Sequence, residues 1–249
     1  MMKNEDANLK KIVEYYDEFA SAYNKSRVIS GGRLFNEFIE MPAVQTLIPN
    51  GMEGRKALDI GCGIGVYSHF LSTKGINVTA IDISPKMIEV AKESCSNNKV
   101  EFINVSFQSY ETSTKYDLII GGFMLGYFYD LNKDFRKLEL LMADNKSSCI
   151  LSMIHPVRLS SVERADGKYV LDDYFNENSF NSDFMSKEKL ISIKKWTFND
   201  ISDAVSKTGL YIDKILESTP SGNLASFDEN VIDFYNKCPS VAVIRLKKR

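Results

Sequence analysis

The apolar positions of the chain first recur at helical spacing. In residues 9–24, LKKIVEYYDEFASAYN, the side chains of Ile12, Tyr15, Tyr16, Phe19 and Tyr23 fall three or four apart, which predicts an amphipathic helix. A second helix is expected over GRLFNEFIEMPAVQTLI, broken or kinked near Pro42, whose ring removes a backbone donor. Pro49-Asn50-Gly51 reads as a turn. The period then shortens. KALDIG, NVTAIDI, VEFINV, YDLIIGGFM and SSCILSMI are short apolar runs that predict five strands. Between them lie VYSHFLSTKG, ending at Gly75 as a C-terminal glycine, and SPKMIEVAKESC, with Ser84 as N-cap and Pro85 in the first helical position. NKDFRKLELLMAD precedes the fifth strand as a further helix. Strands alternating with helices imply an α/β protein: a doubly wound, Rossmann-like parallel sheet whose chemistry sits at the carboxyl ends of the strands.

After the fifth strand the rhythm stops. Residues 155–195 carry aromatics but no long helical period, and a connection of that length in a compact domain points to a lid or a binding loop. The pattern resumes with the helix TFNDISDAVSKTG, capped by Thr197, and the strands LYIDKILES and SVAVIRLKK. The expectation is one domain over 1–249, with a helical cap in 1–50 and a lid or substrate insertion in 155–195.

Composition narrows the function. With 31 basic and 33 acidic residues the formal net charge is −2, which argues against a phosphate-tracking surface and hence against a nucleic-acid partner. The terminal Lys247-Lys248-Arg249 reads as a solvated tail. Cys62, Cys95, Cys149 and Cys238 are widely spaced, and the only histidines are His69 and His155, so neither a disulfide framework nor a metal site is expected. The N-terminus lacks the apolar core of a signal peptide, and no apolar run approaches the length of a membrane span. A cytoplasmic protein, monomeric or homodimeric and without a membrane partner, is the default.

The stretch LDIGCGIG carries the chemistry. Gly61, Gly63 and Gly65 stand between a strand and a helix, where a bare backbone lets a ligand approach the helix N-terminus. The dinucleotide pattern Gly-x-Gly-x-x-Gly places its third glycine one residue later. Asp59 also precedes the first glycine by two residues. A carboxylate there repels a pyrophosphate and attracts an ammonium group. Asp82 ends the next strand, 21 residues after Gly61, where its carboxylate can accept both hydroxyls of a ribose.

In these segments the chain resembles the class I S-adenosylmethionine-dependent methyltransferases that act on small molecules. LDIGCGIG is similar to their first motif, VTAIDISPKMIEVAK to their second, and YDLIIGGFMLGYF to the motif of the fourth strand. YYDEFASAYN resembles the helix that closes over the cofactor. The resemblance implies a seven-stranded sheet with its last strand antiparallel, S-adenosylmethionine as cofactor and S-adenosylhomocysteine as product. It places the backbone of Gly61, Cys62 and Gly63 and the carboxylate of Asp59, directly or through water, at the methionine part, Asp82 at the ribose, and Ile83 and Met87 beside the adenine. Where the family carries an acidic residue near the adenine amine, this chain has Ser106 followed by Phe107. Gly122 and Phe123 would lie beneath the sulfonium, with Tyr16 and Tyr23 as a lid.

Transfer of the methyl group is an in-line displacement, so positioning counts most, and a base is needed only for an acceptor that must lose a proton. His155, directly after the fifth strand, is the candidate base or acceptor-orienting residue. Tyr127, Tyr129 and Trp196 are candidates for the acceptor wall, and His69 reads as a helix-face residue. The rivals are an NAD-dependent dehydrogenase, disfavoured by the early third glycine and by Asp59, and a cofactor-binding protein without catalysis.

Overall fold

The computed structural model describes residues 8–20, 33–95, 99–163, 169–175, 179–182 and 191–249. Helix α1 covers 8–20. Its neighbour is a seven-residue π-helical stretch, α2 (Leu34–Glu40), running into α3 (Met41–Leu47). The Met41 amide bonds to the Asn36 carbonyl, five residues back, immediately before Pro42. Pro42 has no N–H for the carbonyl of Phe38, so the widened turn absorbs the interruption that the sequence placed here.

The strands β1 (Lys56–Ile60), β2 (Asn77–Asp82), β3 (Val100–Asn104), β4 (Leu118–Gly121) and β5 (Ser148–Ile154) alternate with α4 (Val66–Thr73), α5 (Pro85–Ser94) and α6 (Leu131–Leu141). Ser84 accepts the Met87 amide at the start of α5, and Asp130 accepts the Lys133 amide at the start of α6. Beyond β5 come a single turn α7 (Pro156–Leu159), the hairpin of β6 (Ser161–Glu163) with β7 (Tyr169–Leu171), and a second pair, β8 (Ser179–Ser182) with β9 (Ile191–Lys194). The last elements are α8 (Phe198–Ser206), β10 (Leu210–Ser218), α9 (Glu229–Lys237) and β11 (Val241–Lys248). Helix α8 begins with a reciprocal capping box between Thr197 and Asp200.

The main sheet has the order β10-β11-β5-β4-β1-β2-β3. Strands β1 to β5 pair in parallel, while β11 runs antiparallel to both β5 and β10. This is the seven-stranded Rossmann-like sheet with an antiparallel last strand. Because β1 pairs with both β2 and β4, the order reverses there, and a crevice opens at their carboxyl ends. Central strands sheathed on both faces read as continuous apolar runs, and Leu58, Ile60, Leu118, Ile119 and Ile120 are all fully buried.

Two sequence readings change. Lys247 and Lys248 belong to β11, as the strand reading of SVAVIRLKK has them and against the tail reading, and Lys247 pairs with Tyr211 and Ser148. The helix α9, absent from the sequence reading, lies between β10 and β11. None of its residues is fully buried, although Val231, Phe234 and Tyr235 recur at helical spacing.

Candidate active site

The crevice is a cavity with room for about 200 Å³ of water centres, bounded by segments that are far apart in sequence. Its floor is the glycine loop, Gly61 to Ile64, with Ile81, Asp82 and Ile83 at the end of β2. Val105 to Gln108 close one side and Gly122 to Met124 the other. Leu9, Ile12, Tyr15 and Tyr16 of α1 form the roof together with Ile191, Ile193 and Lys194 of β9. Phe35, Asn36 and Glu40 of α2 complete the wall beside Gly122.

The loop backbone follows from its glycines. Gly61, Gly63 and Gly65 have φ of 65°, 53° and 81°, a left-handed region that strains side-chain-bearing residues. A Cβ on Gly63 would meet nothing within 4 Å, so the surface it presents is open to a ligand. Gly65 is packed instead: its Cβ would press on Ala91 and Phe102 at 3.2 Å, so this third glycine serves helix packing.

Asp82 is held by the backbone. One carboxylate oxygen accepts the Gly63 N–H at 2.8 Å and the other accepts the Ser84 N–H at 2.9 Å. Burial pushes its carboxyl up to about 6, against the pull of those two amides, and Asp17 adds to the rise. The carboxylate thus faces the cavity with a fixed orientation and lone pairs left for hydroxyl donors.

Asp59 stands elsewhere than expected. It is 1% exposed, does not line the cavity, and accepts the Ser68 hydroxyl at 2.6 Å on one oxygen. Its other oxygen is buried without a hydrogen-bond partner among the described residues. Burial, reinforced by the nearby Asp82 and Glu40 charges, pushes its carboxyl up to about 7. Burial likewise holds the Cys62 thiol, which lines the cavity, well above its usual range.

Gly122 and Phe123 lie on the cavity wall at the end of β4. Phe123 adopts a left-handed φ of 54°, which costs a non-glycine residue about 1–2 kcal/mol. Its amide donates to Ser152 Oγ at 2.6 Å, and its ring stacks on Phe35 with centroids 5.2 Å apart. Ile83, Met87, Ser106 and Phe107 line the opposite end. Ser106 Oγ accepts the Ser109 amide, capping its own turn, while Phe107 stacks on the buried Phe128 at 5.3 Å. Tyr127 and Trp196 both line the cavity, and the Trp196 indole N–H donates to the Phe128 carbonyl. Tyr16 of the roof shares a hydrogen bond with the Tyr127 hydroxyl. Tyr23 lies outside the described residues.

Two sequence expectations are corrected. His155 is 2% exposed and does not line the cavity. Its Nδ1 accepts the Val157 amide at 3.1 Å, so its Nε2 carries the proton and donates to Glu217 at 2.7 Å. Burial lowers its pKa, opposed by Glu217, and its ring meets the edge of Phe198. The histidine is a cap for α7 rather than a base aimed at a substrate. Tyr129 is not a wall residue either: its hydroxyl donates to the Ser192 carbonyl at 3.0 Å and accepts from Asn8. Of the two routes expected for Asp59, direct contact or a bridging water, its burial leaves only the second.

Two groups of residues escaped the sequence reading. Asp17 accepts the Ser84 hydroxyl at 2.5 Å and the Lys86 amide at 3.2 Å, tying α1 to the start of α5. No short-range signal marks a bond between positions so distant. Glu40 is 1% exposed, lines the cavity, and accepts Tyr67 Oη and Ser152 Oγ, each at 2.6 Å. With Asn36 it interrupts an apolar helix at a spacing of four, which was the available sign.

Sheet order, glycine loop, acidic strand end and roofed crevice together define the class I S-adenosylmethionine-dependent methyltransferase fold. Residues 57–145 match the family model described as a methyltransferase domain. Among curated proteins, the mitochondrial ubiquinone biosynthesis O-methyltransferase of Schizosaccharomyces pombe is 40% identical over 75 residues, 28% of this chain and 27% of that protein. The malonyl-[acyl-carrier protein] O-methyltransferase of Acetivibrio thermocellus is 37% identical over 83 residues, 32% of this chain and 29% of that protein. The chain thus spans less than a third of the length of either relative. Among solved structures, an S-adenosylmethionine-dependent methyltransferase from Mesorhizobium loti superimposes with a TM-score of 0.73 at 19% identity, covering 84% of this chain and 97% of that one. Residues 57–145 are a methyltransferase domain, set in a sheet of the class I methyltransferase fold.

Proposed function

We propose that this chain transfers a methyl group from S-adenosylmethionine to a small-molecule acceptor. The observation that carries the reading is the pairing, in one roofed cavity, of the glycine bend and backbone-held Asp82 with an aromatic wall across from them. The residues fit the cofactor: the open face of Gly63 leaves room for its chain, and Asp82 has lone pairs directed into the cavity for a ribose diol. The orphaned Asp59 oxygen suits a bridging water that would accept from the ammonium and donate to the carboxylate.

Bound S-adenosylmethionine would supply an electrophilic methyl group on a sulfonium. The protein's part is then geometric. Gly61 to Gly63 and Asp82 would hold its two ends, Ile83, Met87 and Phe107 would border its adenine, and Gly122 with Phe123 would line its sulfonium end. Tyr127 and Trp196 would hold the acceptor. Helix α1, pinned through Asp17, Tyr16 and Asn8, keeps water out. Orientation of this kind supplies up to ~7–11 kcal/mol of the barrier. His155 is turned away, so an oxygen that ionises unaided fits best, in keeping with the two relatives named as O-methyltransferases.

The test is incubation with methyl-labelled S-adenosylmethionine and a set of small carboxylates, phenols and amines, followed by mass spectrometry. A labelled product with matching S-adenosylhomocysteine is expected. Tight binding of the cofactor with no turnover on any acceptor, a metabolite extract included, would establish the non-catalytic alternative.

A further inference from the structure

The electrostatic argument from the sequence requires a carboxylate at the methionine end of the cavity, and Asp59 does not reach it. Glu40 does. It sits across from the glycine loop, with Oε1 only 3.3 Å from where a Cβ on Gly122 would stand. Both its oxygens are oriented by hydroxyl donors, Tyr67 from the first turn of α4 and Ser152 from β5. Ser152 in turn receives the Phe123 amide, so the carboxylate is fixed to the same strand end that carries Gly122 and Phe123. Each carboxylate oxygen can accept more than one hydrogen bond, so a carboxylate held in this way can also receive an ammonium donor.

We propose that Glu40 receives the positively charged amino group of the cofactor's amino-acid end, the role the sequence suggested for Asp59. The inference rests on the methyltransferase reading above. It makes Glu40 a specificity residue: its charge selects ligands that carry the ammonium and is indifferent to the nucleoside.

Titration calorimetry with two ligands tests this: S-adenosylhomocysteine, and its desamino analogue, which lacks only the amine. In the wild-type protein the analogue should bind at least about tenfold more weakly, the value of one charge-assisted contact. Glu40→Gln should weaken S-adenosylhomocysteine by at least about tenfold and leave the analogue within about twofold. If Glu40→Gln does not fold, Glu40→Asp, which withdraws the charge by one methylene, carries the same comparison. Equal losses for both ligands, or no loss for either, would overturn the role of Glu40 while leaving the methyltransferase reading intact. A wild-type protein that binds neither S-adenosylmethionine nor S-adenosylhomocysteine would overturn the reading itself.

Discussion

Asp59→Asn isolates a charge that the fold holds at a cost. The Asp59 carboxyl is 1% exposed and pushed from 3.8 to about 7 by burial. That difference corresponds to about 4 kcal/mol of folding free energy lost at neutral pH and above. The direction follows from proton linkage: the folded state holds the proton more tightly than the unfolded chain. The favourable contribution is therefore complete below the unfolded value of 3.8 and is lost as pH rises through about 7. Asparagine never ionises, so the variant escapes this loss. Its amide can still accept from Ser68, but its NH₂ takes the place of the oxygen that has no partner, at about 1–3 kcal/mol. The net gain for Asp59→Asn at about pH 8 is therefore about 1–3 kcal/mol, or roughly 2–12 °C in Tm. At about pH 4.5 most of the gain vanishes and the variant is no more stable than wild type. Thermal unfolding of both ligand-free proteins across this range measures the crossing. An Asp59→Asn protein that is equally destabilised at both ends of the range would refute the claim that this buried charge is expensive.

Asp82→Ala removes the acceptor proposed for the ribose and should weaken S-adenosylmethionine binding at least about tenfold by calorimetry; an unchanged affinity would discard the assignment. Because the Asp82 carboxyl lies at about 6, cofactor affinity should also fall as pH drops below that value, and a flat profile between pH 5 and 8 would count against it. His155→Ala should destabilise the fold by about 1–3 kcal/mol through the lost α7 cap and Glu217 contact, read as a lower Tm, yet leave turnover per folded molecule unchanged; a selective loss of turnover would restore His155 to the mechanism. Gly122→Ala would bring a Cβ to 2.8 Å from the Tyr67 ring and 3.3 Å from Glu40, so cofactor affinity should drop while the far end of the cavity stays intact; retained affinity would show that this wall yields. Phe135→Ala empties a fully buried site between α6 and the sheet and should cost about 3–5 kcal/mol in denaturant unfolding.

The sheet was legible because its strands are short, apolar and separated by helices with ordinary caps. Ser84, Thr197 and Gly75 each do locally what their residue types predict. The glycine loop was legible for the same reason, since a positive φ demands glycine. The side of the site built by α1, α2 and β9 was not. Glu40 faces the cavity because α2 packs against β11 and brings its carboxylate to Ser152 of β5, and Asp17 meets the start of α5 through Ser84 and Lys86; both are consequences of tertiary packing. His155 misled because position after a strand says nothing about which way a ring turns. A buried pocket against Phe198 and an acceptor on Glu217 decided that direction. Asp59 misled similarly: its place in the motif is unmistakable, but Ser68 draws the carboxylate inward, away from the cavity.

The central claim is that this crevice takes a cationic sulfur nucleoside and refuses a dinucleotide. Calorimetric titration of the purified protein with S-adenosylmethionine and, separately, with NAD⁺ tests it most directly. The account predicts saturable binding of S-adenosylmethionine with a dissociation constant between about 1 μM and 1 mM, and no heat from NAD⁺ at the same concentrations. Saturable binding of NAD⁺ with none of S-adenosylmethionine would contradict it.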